Sequence, residues 1–196
     1  SAPVQNIQDV LSSLVNIDVR QRGKNDIQAD LSIRGGTFDQ TLILLNGIPV
    51  NDPQTGHHNL NLPIELSQIE RIEILNGPGS RANGPNAYSG AINIVTRIPK
   101  ENQVEVRLIG GENGLWKIGT GVSIVGKKVN HYFSANADKS EGYIKNTDFK
   151  RFNLFYTGNL RLKKTSLQWQ SGYTDKAFGA NSFYTPAYPN QFEQTR

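Results

Sequence analysis

Cysteine and methionine are both absent from this chain of 196 residues. Without cysteine there is no disulfide framework and no thiolate metal centre, and the composition carries no trace of redox compartment. Long apolar runs are missing as well. No stretch approaches the roughly 20 apolar residues of a spanning helix, which excludes membrane insertion by helices and leaves insertion by strands open. Charge is sparse, with 21 Lys and Arg against 17 Asp and Glu for a net charge of +4. The basic residues are scattered, and the longest runs are Lys127-Lys128 and Lys163-Lys164. That is the pattern of a solvated surface, so no nucleic-acid partner is expected.

What the chain has in quantity is glycine, 19 residues, together with Asn, Ser, Thr and aromatics. This mixture favours turns and strands over helices. Glycine is densest in NGPGSRANGPNAYSGA, Asn76 to Ala91, between the apolar segments IERIEIL and AINIVT. Gly79 and Gly84 have the spacing of a phosphate-cradling GxxxxG loop, but Pro85 stands where that motif needs Lys, and no Ser or Thr follows to hold magnesium. The dinucleotide fingerprint fails too, because Ala82 replaces its third glycine and no helical pattern follows. A nucleotide site is therefore not expected.

The two halves follow different periodicities. Residues 1–98 read as a compact α+β unit. Ile7, Val10, Leu11 and Leu14 fall at helical spacing, with Asn6 as N-cap. Strand candidates follow at 17–21, 30–34, 41–45, 48–50, 70–75 and 91–96, and Asn46-Gly47 is a tight-hairpin signal between two of them. Residues 103–174 instead alternate with period two in five segments of about ten residues. Val104, Val106 and Leu108 alternate with Glu105 and Arg107. Further along, Phe152, Leu154 and Tyr156 alternate with Asn153 and Thr157. Such a dyad repeat fits outer-membrane strands, with Trp116, Tyr132, Phe152 and Tyr173 read as interface aromatics at strand ends. Half-buried strands of a soluble sandwich alternate in the same way, so periodicity alone leaves both readings open. Turns at 126–130 and 163–164 read as tight and basic, and the segments 139–150 and beyond 174 as longer polar loops. Five strands cannot close a barrel, for which about eight are needed. The chain opens at Ser1 without Met and stops on NQFEQTR with no finished element, so a piece of a longer protein is expected.

Nothing in the sequence assembles a catalytic constellation, and no cofactor or metal is expected. The histidines at 57, 58 and 131 lack a serine or carboxylate at a triad-like spacing. His57 and His58 are adjacent in a polar loop, and neighbours on a strand point apart, so joint metal ligation would need irregular backbone. Glu70 and Glu73 flank Arg71 without a nucleophile or metal motif, and the structural reading, a polar strand face, is preferred to acid-base work.

Three motifs carry a family resemblance. DVLSSLVNIDVRQRG (Asp9 to Gly23), LSIRGGTFDQTLILLNGIPVNDP (Leu31 to Pro53) and IERIEILNGPGSRANGPNAYSGAINIVTR (Ile69 to Arg97) resemble, in order and spacing, the plug domain of TonB-dependent outer-membrane receptors. Two departures stand out: Asn76-Gly77-Pro78 in place of RGP, and Ala82-Asn83 in place of an aliphatic-Tyr pair. The resemblance implies an α+β plug domain at residues 1–98, followed over 99–196 by antiparallel β-strands of a truncated transmembrane β-barrel. It implies a receptor in the outer membrane of a Gram-negative bacterium, not an enzyme. Loops 51–59 and 77–88 would be apical. Asn51, Asp52, His57, His58 and Asn59 would then supply one set of ligand contacts, and Arg81, Asn83, Asn86 and Tyr88 the other. Arg34 would lock plug to barrel. The implied partners are the TonB C-terminal domain, contacting a segment upstream of Ser1, a scarce nutrient, and outer-membrane lipid, with a surface lipoprotein as a further candidate. The stretch Asp175 to Arg196 resembles receptors grouped with the vitamin B12 type, so a cobalamin-like ligand is expected, with a ferric siderophore as the other candidate. The competing class is a soluble β-rich binding or adhesion module.

Overall fold

The computed structural model describes residues 6–23, 27–52, 55–77, 86–183 and 192–193. They form two compact units that meet in sequence between Arg97 and Ile98.

In the first unit the opening helix α1, Ile7–Ser12, starts where the sequence predicts. The Asp9 amide donates to the Asn6 side chain at 2.7 Å, which satisfies one of the four orphan N–H groups of the first turn. The helix is shorter than its apolar spacing suggests. The Ser12 and Ser13 hydroxyls donate back to the carbonyls of Asp9 and Val10, and Asn16 takes a left-handed φ of 69°. Serines that bond their own backbone compete with helix propagation. Leu11 is fully buried.

Strands β1 (Ile17–Arg22) and β2 (Gln28–Ile33) pair antiparallel. β3 (Thr41–Leu45), β4 (Ile48–Pro49), β5 (Ile69–Asn76) and β6 (Gly90–Thr96) form a separate sheet in the order β4-β3-β6-β5, with β3 parallel to β6. β3 is the run TLILL, buried at every position, as expected for a strand covered on both faces. With Ile92 and Ile94 of β6, both fully buried, it makes the core of the unit. Each such side chain contributes about 1.5–3 kcal/mol of burial. The Asn46-Gly47 turn has φ of 53° and 80°, both left-handed, which suits a type I′ hairpin and the right-handed twist of its strands. Edge strand β5 carries Glu70, Arg71 and Glu73 and a register shift between Ile69 and Arg71, devices that discourage pairing with another chain.

The second unit is a meander of β7 (Gln103–Gly110), β8 (Trp116–Val125), β9 (Val129–Ser140), β10 (Phe149–Arg161) and β11 (Ser166–Phe178), all antiparallel neighbours. The pair β12 (Ala180–Asn181) and β13 (Phe192–Glu193) follows. The strands outrun their expected ends. Lys139, Ser140, Phe149 and Lys150 belong to β9 and β10, and β11 continues past Thr174 to pair Phe178 with Phe149. Lys139 and Lys150 pair with each other on the face that carries Leu154, and Ser140 lies on the other face, so polar residues on both faces hide the strand ends from a reading based on polarity.

Register places Val104, Val106, Leu108, Ile118, Val122, Phe133, Leu154 and Tyr173 on one face. Val104, Val106 and Leu108 are 71%, 65% and 72% exposed. Among the described residues, no second sheet covers these three side chains. The opposite face carries Asn136, Asp138, Asn153 and Thr157, and its Arg151 holds Asp138 through bonds of 3.0 and 2.6 Å. Tyr132 corrects one expectation. It belongs to this polar face, with its hydroxyl above Gly121, and Phe152 and Tyr173 lie inside their strands rather than at the ends.

Candidate functional site

Three loops meet at one end of the four-stranded sheet. β4 returns alongside β3, so Asn51 arrives beside Thr41, and Thr41 pairs in register with Gly90 at the start of β6. The Ser89 amide donates to the Gln40 carbonyl at 3.0 Å, and Gly36 lies so close to the Ser89 side chain that a Cβ there would collide with it. The turn after β2, the segment 51–59 and the approach to β6 therefore share an end. Arg81 and Asn83 fall outside the described residues.

Among the described residues of 51–59, Asn51, Asp52, His57 and Asn59 are engaged by the protein itself. Asn51 accepts from the Ile43 amide at 2.9 Å and donates to the Thr41 carbonyl at 3.3 Å, which extends the pairing of β3 by one side chain. Asn59, buried, accepts from the Asp52 amide at 3.0 Å. Asp52 in turn accepts from the Thr55 amide at 3.0 Å. Thr55 caps a 3₁₀ turn, Gly56–His58, whose irregular backbone separates the two imidazoles. His58 is half-buried in that turn.

His57 leans on the Phe38 ring, centroids 4.4 Å apart, and its Nδ1 lies 2.5 Å from the Asp30 carboxylate. The other Asp30 oxygen takes Arg22 Nε at 2.8 Å and Nη2 at 2.7 Å. Asp30 is 7% exposed. A buried carboxylate needs such partners, and this one joins β1, β2 and the 51–59 loop. Sequence reasoning missed Arg22 and Asp30. The available signal was a carboxylate inside the otherwise apolar strand QADLSI. Among the described residues no cluster of three or more His, Cys, Asp or Glu could hold a metal ion.

Among the described residues of the predicted site, Asn86, Tyr88 and Arg34 face outward. Asn86 is exposed at a φ of 72°, and Tyr88 is 62% exposed. Arg34 is exposed at a φ of 52°, anchored through its backbone amide to the Asn16 carbonyl. A phenol, an amide and a guanidinium can hydrogen-bond and stack on a polar ligand. On the far strand, Glu73 accepts from Asn93 and Arg71, each at 2.8 Å. The Asn93 bond first, and then Arg71, hold its carboxyl below the usual range. This is an exposed strand-face network.

Residues 1–91, slightly under half of the chain, match the model of the TonB-dependent Receptor Plug Domain. The chain thus carries a TonB-dependent receptor plug, a class that resides in the outer membrane of Gram-negative bacteria. It is similar to the vitamin B12 transporter BtuB of Vibrio vulnificus (strain CMCP6), 31% identical over 106 residues, which are 54% of this chain and 17% of that protein. Among solved structures it resembles Pseudomonas aeruginosa FpvA bound to heterologous pyoverdines, with a TM-score of 0.70 and 18% identity over 88% of this chain and 23% of the other. It also resembles the copper transporter OprC, with a TM-score of 0.69 and 18% identity over 91% of this chain and 29% of the other. At 88% and 91% of this chain, the matched folds take in strands of the meander as well as the first unit. The chain spans about a sixth of the length of the curated relative it matches.

Proposed function

We propose that the chain is the plug and first barrel strands of an outer-membrane receptor that binds a scarce nutrient and imports it with energy transmitted by TonB. Residues 1–98 act as the plug and 99–196 as the opening of the barrel wall. The observation that carries the reading is the sequel to the plug: a meander whose apolar face is exposed along its length, as a lipid-facing wall requires. The nutrient rests on the loop end of the plug sheet, with Asn86 and Tyr88 reaching outward and Arg81 and Asn83 belonging to the same loop by sequence. Asn51, Asp52, His57 and Asn59 hold the neighbouring loop in shape, and His58 is offered from that loop. Arg34 serves as the lock toward the barrel. A cobalamin-like corrinoid is preferred because the curated relative is a vitamin B12 transporter, and a ferric siderophore is the second candidate. The protein acts as a receptor, not an enzyme. A plug that must move is served by hydrated polar contacts, since these expose little apolar surface when broken.

The test is uptake of labelled cobalamin and of a ferric siderophore by cells making the intact receptor, with and without TonB. TonB-dependent uptake of either supports the transport reading. Equal uptake without TonB overturns it, and uptake of the siderophore alone overturns the corrinoid preference.

A further inference from the structure

The segment leading into β7 is tied down at one end of the meander. Asn130 Nδ2 donates to the Pro99 carbonyl at 3.0 Å, and the Val125 amide donates to Asn102 Oδ1 at 2.6 Å. The neighbouring turns are joined as well, because the Arg161 amide donates to the Lys128 carbonyl at 2.8 Å. Gly126, where a Cβ would strike the Val129 carbonyl, keeps the β8–β9 turn tight. These contacts frame a cavity of about 250 Å³, lined by Lys100, Lys127, Lys128 and Arg161 together with Asn130 and Asn159. Asn130 and Asn159 pair in register, on the strand face that also carries Asn153 and Thr157.

The charge in this cavity is of one sign. Basic residues that are scattered along the sequence are gathered here from three segments, and among the described residues no carboxylate lines the cavity. Glu101 adjoins Lys100 in sequence but is not part of the lining. None of the four cationic side chains has an ion pair or hydrogen bond among the described residues, whereas Arg22, Arg71 and Arg151 each hold a carboxylate. Like charges gathered in a concavity repel one another and focus their field on an incoming counter-charge. Asn159 and the second N–H of Asn130 add neutral donors.

We propose that this cavity binds one phosphate group, carried by a small soluble ester or present as the free ion. Arg161 supplies a planar fork that grips two oxygens, and the lysines supply point charges around the others. A phosphate, with a charge of about −1.5 to −2, offsets more of the four positive charges than a carboxylate does. The volume equals that of roughly eight waters at about 30 Å³ each, room for a phosphate and a short polyol. Occupancy bridges Lys100, beside Pro99, to the β8–β9 turn and the end of β10, and so stiffens the segment leading into β7. Asn130 and Asn159 lie on the face opposite Leu154, so a soluble phosphate is favoured over a lipid headgroup. On the barrel reading above, tight turns face the periplasm; the compartment of the ligand rests on that reading, and the cavity does not.

The experiment is calorimetry of the intact receptor in nonionic detergent at low salt, titrated with inorganic phosphate, glycerol phosphate, acetate or phosphatidylglycerol. One phosphate should bind per receptor, more tightly than acetate and more weakly as salt rises. The tighter of the two soluble phosphates identifies the source. Arg161 is exposed, so its replacement spares the fold. Arg161→Gln should weaken binding about tenfold, and Arg161→Lys, which keeps the charge but loses the fork, should weaken it less. Lys128→Gln should weaken it about two- to fivefold, while Lys139→Gln, at the other end of the strands, should leave it unchanged. Phosphate should also slow amide hydrogen exchange at 100–102 in the wild type and not in Arg161→Gln. No saturable binding at millimolar phosphate, acetate bound as tightly, an equal loss in Lys139→Gln, or binding of phosphatidylglycerol alone overturns the proposal. Nutrient uptake that proceeds without TonB would overturn the transport reading and leave this binding in place, so the two failures are distinguishable.

Discussion

His57 and Asp30, 27 residues apart, meet through Nδ1 and Oδ1 at 2.5 Å, with Arg22 on the second carboxylate oxygen. This contact fastens the 51–59 loop to the β1–β2 hairpin. Removing one member of a buried charged group leaves the others uncompensated, at a cost of about 3–5 kcal/mol. Asp30→Ala should therefore speed amide hydrogen exchange in 55–59 and in β2 by at least about a hundredfold. His57→Ala, which leaves the Arg22–Asp30 pair intact, should do less. Equal protection in wild type and Asp30→Ala would show that the loop is held by other means.

Glu73 supplies a pH prediction. Its folded-state carboxyl is depressed by Asn93 and Arg71, so its contribution is present above the ordinary Glu value and is lost as pH falls through the lower folded value. Its NMR titration midpoint should lie below that of an ordinary glutamate, and Asn93→Ala should move it back up. A midpoint indifferent to Asn93→Ala contradicts the assigned cause.

Asn46 does two jobs. It supplies the first left-handed residue of the β3–β4 turn, and its side-chain oxygen accepts from the Thr96 amide at 2.8 Å and hydroxyl at 3.1 Å. Asn46→Ala should destabilise the plug by about 1–3 kcal/mol, measured by urea denaturation. Asn46→Gly restores the backbone but not the bonds and should recover only part of the loss.

The two faces of the meander should respond oppositely to charge. Leu154 lies on the outward face and Gln170 on the other. Arginine at the lipid midplane costs about 2–4 kcal/mol. Leu154→Arg should sharply lower the yield of folded receptor in the outer membrane, while Gln170→Arg should leave it near wild type. Equal yields would remove the lipid-facing assignment.

Ligand contact and loop support should also separate. Tyr88 is exposed, whereas Asn51 is spent on the backbone of β3. Tyr88→Ala should weaken nutrient binding about tenfold, the order of a lost aromatic contact, with unchanged thermal stability. Asn51→Ala should lower stability and affinity together. Calorimetry and thermal melting of the same preparations decide it.

Much of the fold was legible because its causes are local. Asn6 caps α1, Asn46-Gly47 makes the hairpin, TLILL is the central strand, and alternation marks the meander. The strand ends were not legible, because Lys139 and Lys150 belong to long paired strands despite their polarity. Tyr132 was misassigned because residue type at a strand end says nothing of register, and a one-residue difference reverses the face.

The loop chemistry divides in the same way. The sequence by itself determined that 51–59 and 76–91 would be polar, turn-rich connections in a plug-like order, since Gly, Asn and Pro act through their own backbone preferences. Only the tertiary structure decided that Asn51, Asp52, His57 and Asn59 turn inward while Asn86 and Tyr88 remain outward. Which side chain is satisfied depends on buried partners such as Ile43 N–H and Asp30, brought close by strand pairing across distant parts of the chain.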